Sequence, residues 1–143
     1  MDNFKEIGGT KYVFEFLPAE DSVHVQVAVA KVIGEPLFKA FMSVANAAGS
    51  EEEREAAQAQ AGGVAIGLML SKMEPNELIA TMNKVFKFTS IGGVKASCSL
   101  NDFRGKNKEM WQVFIAGLRY NYSDFIPESL SGFVRDQAQK LNP

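Results

Sequence analysis

Hydrophobic residues in this chain recur mostly three and four positions apart, the period of a helix, with short aromatic and β-branched runs between the helical stretches. Lys11-Tyr12-Val13-Phe14-Glu15-Phe16-Leu17 follows Gly8-Gly9 and stops at Pro18, which predicts a short N-terminal strand. Asp21 or Ser22 can cap a helix whose apolar positions Val23, Val27, Ala30 and Ile33 form one face, with Gly34 as its end. Its valines are weak helix formers, and Val23-His24-Val25-Gln26-Val27 alone would also suit a strand. Pro36 sits where another helix can start, with Leu37, Phe41, Val44 and Ala48 on one face and Gly49 beyond it.

Ser50-Glu51-Glu52-Glu53 is the strongest helix start in the chain. A serine hydroxyl can accept from a free backbone N–H, and three carboxylates oppose the positive end of the helix. The helix should run to about Met73. Ala61 through Leu70 carries no charge and falls short of the ~20 apolar residues of a membrane span, so it predicts a buried helix. Ala59, Gly63, Gly67 and Ser71 lie four apart, a stripe without large side chains along which a second helix can approach closely. Each glycine costs about 1 kcal/mol of helix propensity relative to Ala, and close packing would offset that cost. The packing can be internal to one molecule or a self-association seam between two.

Pro75, followed by Leu78, Ile79, Met82, Val85 and Phe86, predicts a short helix over residues 75–86. Two runs around Gly92-Gly93, from Phe86 to Ile91 and from Val94 to Cys98, predict a short hairpin near 86–98. Phe103, Met110, Phe114, Leu118, Tyr122 and Phe125 mark one face of a helix over about residues 106–122, with Asn101 or Asp102 capping a turn before it. Pro127 opens a last amphipathic helix bearing Leu130, Phe133, Val134 and Ala138. With no repeat, no low-complexity segment and no linker, the expectation is a single helical domain over 1–143: mainly α with a small β element, an α+β fold.

Composition narrows the chemistry. With 143 residues a single core can hold the chain without metals or disulfides. One His and one Cys leave few ways to build a metal site or a nucleophile–base pair, so no cofactor is expected and no catalytic residue is assigned. His24 lies among alternating valines and Cys98 has no basic neighbour closer than Lys95, so both read as structural or surface residues. Gly62-Gly63-Val64-Ala65-Ile66-Gly67 lacks the lysine of a phosphate loop, and Glu51 to Glu55 point in different directions around a helix and cannot converge on an ion. The start of the chain lacks the basic and apolar regions of a secretory signal, and no stretch is a membrane span, which reads as a cytoplasmic protein.

Charge is nearly balanced overall, at −2, with 7 Lys/Arg against 12 Asp/Glu in residues 1–86 and 8 against 5 in residues 87–143. Arg104, Lys106, Lys108 and Arg119 interleave with Phe103, Trp111, Tyr120 and Tyr122, a composition that can stack and neutralise single-stranded nucleic acid. The helical spacing sets most of those aromatics on the apolar face, so a core with a basic outer face ranks ahead of nucleic-acid binding.

Phe103-Arg104-Gly105, a mostly apolar helical stretch, then Asn121-Tyr122-Ser123-Asp124-Phe125 resembles a pattern in the small tail assembly chaperones of long-tailed bacteriophages: Phe-x-Gly, helix, Asn-aromatic-x-x-Phe. The N-terminal part is similar too, with a strand running into Leu17-Pro18-Ala19 and then Val32-Ile33-Gly34-Glu35-Pro36-Leu37. The similarity covers roughly residues 10–126. The chain departs from the pattern in Ile126-Pro127, where a second aromatic is common, and in its glycine-rich helix over 59–71.

The resemblance implies a non-enzymatic protein of the host cytoplasm that binds the tape measure protein and keeps it soluble while tail tube subunits polymerise around it. It also implies absence from the finished particle and, in many members, a longer frameshifted form. Tape measure protein is then the expected partner, with tail tube protein a second, and neither membrane nor nucleic acid is expected. A structural adaptor retained in a particle and a weak single-stranded nucleic-acid module are the alternatives. Six Met and 11 Phe supply adaptable apolar area. Large aromatics are the usual anchors of a helix in a groove, which nominates Phe103, Trp111, Phe114, Tyr122 and Phe125 as partner-binding, each with a core role as its alternative. The stripe Ala59, Gly63, Gly67, Ser71 is the candidate for self-association.

Overall fold

The computed structural model describes residues 2–34, 50–92, 94 and 97–122. The helices expected from Pro36 and Pro127, and Phe125, lie outside the described residues. What is described is mainly helical with a small three-stranded antiparallel sheet, an α+β fold. The chain divides into two compact units, Met1–Ala28 with Met73–Asn121, and Val29–Lys72 with Tyr122–Pro143.

In the first unit, β1 (Phe4–Ile7) and β2 (Thr10–Phe14) form a hairpin in which Ile7 faces Thr10. Gly8 and Gly9 close it at φ 60° and 81°, the left-handed conformation that a two-residue turn needs at both positions. The single strand expected over 11–17 is therefore the second arm of a hairpin, and it leaves the ladder after Phe14. β3 (Thr89–Ile91) pairs with β2, Phe14 opposite Thr89, so the sheet order is β1-β2-β3. Of the hairpin expected over 86–98, the described residues show one bridge, between Ser90 and Ser97. β3 takes its long pairing from the N-terminal hairpin instead.

Helix α1 (Ala19–Ile33) starts right after Pro18, whose carbonyl accepts from Ser22 N–H at 2.9 Å. Asp21 and Ser22 thus stand inside the first turn, where Glu20 and Asp21 oppose the positive helix end, and are not its cap. The helix ends at Gly34, φ 83°, as expected. Of the face the spacing suggested, Ile33 is buried as expected but Val23 and Val27 are 58% and 59% exposed, and Val25 and Val29 turn inward in their place. Valines at 23, 25, 27 and 29 offer two apolar stripes, and periodicity alone does not say which one turns in.

Helix α2 (Glu51–Lys72) begins with the expected cap, Glu53 N–H donating to Ser50 Oγ at 3.1 Å. Its uncharged half is not buried all round. Ala65 and Met69 are buried, but Val64 and Leu70 are 50% and 61% exposed. The lack of charge there marks an apolar outer face as well as an inner one.

Helix α3 (Pro75–Phe86) has the expected bounds, with Pro75 at its first turn. Thr81, Met82, Val85 and Phe86 are buried, and Ile79, assigned to that face from its spacing, is exposed. Thr89 Oγ1 donates to Val85 O at 3.0 Å and ties β3 to the end of α3. A 3₁₀ turn (Leu100–Phe103) is opened by Ser99, whose N–H donates to Asp102 Oδ2 at 2.8 Å. Helix α4 (Asn107–Tyr122) follows, and Val113 through Arg119 are buried in succession. α4 is therefore a central helix, surrounded at its middle, and not one with a single inward face.

Candidate functional site

Three of the nominated aromatics, Phe103, Trp111 and Phe114, fall into one connected chain of ring contacts in the first unit. Phe86 is its hub, 5.0 Å from Phe103 and 6.1 Å from Phe114 between centroids, the second pair edge to face. Trp111 meets Phe114 edge to face at 6.0 Å, and Tyr12 stacks on Phe103 at 5.9 Å. Phe103 and Phe114 are buried, as is Tyr122, so these rings are interior in this structure. Trp111 is half-buried and keeps surface of its own. The helical spacing carried no information on whether these rings meet the fold or a partner.

Phe103, Gly105 and Asn121, which carry the Phe-x-Gly, helix, Asn pattern, have a physical job. Phe103 fills the space between Tyr12 and Phe86. Gly105 adopts φ 77°, which turns the chain from the 3₁₀ turn into α4 and is strained for any residue with a Cβ. Asn121 Oδ1 accepts from Leu17 N–H at 2.9 Å, and its Nδ2 donates to Gly117 O at 2.9 Å. One amide thus fastens the segment leaving β2 to the end of α4 across 104 positions of sequence. These residues hold the scaffold together.

Open apolar surface lies elsewhere. Val23 and Val27 stand one turn apart on α1. Phe16 is exposed and stacked on half-buried Tyr120 at 4.6 Å. On α2, Ala59, Gly63, Gly67 and Ser71 are all exposed beside Val64 and Leu70, and nothing lies within 4 Å of where a Cβ on Gly63 or Gly67 would stand. The sequence signal for these surfaces was present in the surplus of apolar residues around α1 and α2, more than one inward face can use.

Residues 8–134 match a family described as phage tail assembly chaperone protein, TAC. The chain belongs to that family of tail assembly chaperones. No curated protein and no solved structure matches it. The matched region runs from the β1–β2 turn past the end of α4, so it encloses every scaffold contact just described.

The remaining chemistry of the chaperone is modest. Arg104, Lys106 and Lys108 are exposed, but Arg119 is only 5% exposed and burial pushes its guanidinium down to about 10. The four basic residues therefore do not form one outer face, and Phe103 and Tyr122, meant to interleave with them, are inside. Cys98 is buried, and burial, with Asp102 adding to it, pushes the thiol up to about 12. Tyr12 is pushed up to about 12 by burial and by the hydrogen bond it donates to Glu109. Among the described residues no group of three or more His, Cys, Asp or Glu is placed to hold a metal ion. No described helix is long and apolar enough to cross a membrane.

Proposed function

We propose that this chaperone acts without catalysis, in the host cytoplasm, by binding the tape measure protein and keeping it soluble until tail tube subunits polymerise around it. Family membership supports a tail protein as the partner. The observation that carries the finer reading is the exposure of Val23 and Val27 on α1 and of Val64 and Leu70 on α2, in a chain where Phe86, Phe103, Phe114 and Tyr122 are buried. Exposed aliphatic faces on helices suit the apolar stripe of a helical client, because pairing the two removes apolar surface from water on both sides. Trp111, which among the described nominated aromatics keeps open surface, is the anchor on the α4 side. Phe103, Phe114 and Tyr122 serve the client by fixing the surfaces that meet it.

Co-expression tests the reading. The tape measure protein should be more soluble with the chaperone than alone, and Val23→Asp with Val27→Asp should remove most of that gain while the chaperone stays folded. A tape measure protein equally soluble alone removes the reading. If instead the protein is found in purified particles at fixed stoichiometry, it is a retained adaptor and not a transient chaperone. Self-association along Ala59, Gly63, Gly67 and Ser71 is a second reading, favoured by the open space over Gly63 and Gly67. Sedimentation over a concentration series decides it, with a monomeric wild type at tens of micromolar as the outcome that ends it.

A further inference from the structure

We infer that Glu109 is a carboxylate latch that holds the β1–β2 turn against the start of α4, so that losing it frees the N-terminal hairpin locally and not the unit as a whole. Three contacts from different parts of the chain converge on this side chain. A Cβ on Gly8 would overlap Glu109 Oε1, so the turn closes directly onto the carboxylate and only a glycine leaves it room. The Tyr12 hydroxyl, from β2, donates to the same group. Lys106, just before α4, brings Nζ to 4.0 Å from Oε2. The carboxylate is deeply set, with 12% of the side chain exposed, whereas Lys106 is 60% exposed and its ion pair is accordingly weak.

The latch is incompletely made. Glu109 Oε2 is buried without a hydrogen-bond partner. In return for its lost water that oxygen has the 4.0 Å ion pair with exposed Lys106, so the attachment of the turn to α4 is weaker than its burial suggests. The ring of Tyr12 meanwhile covers Phe103 at 5.9 Å. Release of the latch therefore loosens the residue that shields a buried aromatic ring, which makes the hairpin a cover over part of the core. Regions held this way open before the elements behind them.

Hydrogen exchange on the full chain, read by mass spectrometry, tests this. Glu109→Ala should speed exchange of the amides in residues 4–12 by about tenfold or more, as loss of a charge-assisted hydrogen bond implies. Amides of α3, in the same unit, should change by about twofold or less. Glu109→Gln should fall between, because its amide oxygen still accepts from Tyr12, and Glu6→Gln, an exposed acid of the same hairpin, should leave exchange as in wild type. Should Glu109→Ala fail to fold, Tyr12→Phe takes its place: it removes only the hydroxyl and should also speed residues 4–12 selectively. Unchanged exchange in the hairpin, or an equal rise throughout α3, overturns the inference.

Discussion

Helix α4 carries Gly117 where a Cβ would come within 2.6 Å of Val85 Cγ1 on α3, whereas helix α2 carries Gly63 and Gly67 with nothing among the described residues within 4 Å of theirs. Both helices give up about 1 kcal/mol of propensity per glycine relative to alanine. In α4 the missing side chain admits a neighbouring helix, and Val113 through Arg119 are surrounded. In α2 it admits nothing among the described residues, and Gly63 and Gly67 sit among exposed apolar residues. The same residue type therefore marks a filled contact in one helix and an open surface in the other. A tail assembly chaperone needs both, a closed scaffold and a face still able to bind.

The contrast is tested most severely by truncating one large residue from each region. Phe103→Ala or Phe114→Ala should cost about 3–5 kcal/mol, since each ring is buried and the space it leaves cannot be filled by its neighbours. Leu70→Ala on α2 should lie within about 0.5 kcal/mol of wild type, because that side chain already faces water. Urea unfolding gives both numbers, and a cost at Leu70 like that at Phe114 would mean α2 is covered in solution. Smaller, but still on the scaffold side, Asn121→Ala should cost about 1–3 kcal/mol by leaving Leu17 N–H without its acceptor. Asn121→Asp keeps the acceptor and loses the donor to Gly117 O, so it should fall between.

The two regions also differ in how much of each could be read beforehand. Helix starts were legible where one residue supplies the chemistry: Ser50 accepts from Glu53 N–H, and Pro75 needs no hydrogen bond at the first turn. Faces were less so. In α1 the residues at 23 and 27 are as apolar as those at 25 and 29, and only tertiary packing decides between them. Gly-Gly occurs at 8–9, at 62–63 inside α2 and at 92–93, and the two short strand-like runs around the last of these predict the hairpin there. The first makes it, because Phe4 to Ile7 needs only four residues to pair with the strand that β3 also joins. The clasp of Leu17 by Asn121 was visible only as a pattern, since nothing local in either segment signals a contact so distant in sequence.

Gly117→Ala sharpens the comparison further because two known effects oppose each other. Alanine gains about 1 kcal/mol of helix propensity, while the new methyl must displace Val85, at an overpacking cost of about 1–3 kcal/mol. The net expectation is destabilisation of about 1 kcal/mol. Val85→Ala in the same molecule makes room for the methyl, so the double variant should be more stable than the sum of the two single changes predicts. Additivity would mean that the two helices do not meet at this point.

The smallest effect is expected at Gly67, and its sign carries the information. With open space over its Cα, Gly67→Ala should raise stability by about 0.5–1 kcal/mol through propensity alone. That gain should be independent of protein concentration if the α2 stripe faces only water or the client. If copies pair along Ala59, Gly63, Gly67 and Ser71, the extra methyl holds the two backbones apart, so the gain should shrink or reverse as concentration rises. Gly67→Leu enlarges the same obstruction and should abolish any dimer seen by sedimentation while leaving the monomer folded. Thermal unfolding of wild type and Gly67→Ala at a low and a high concentration thus separates a bare helix face from a seam. A rise in stability that is equal at both concentrations would rule out a second copy as the partner of α2.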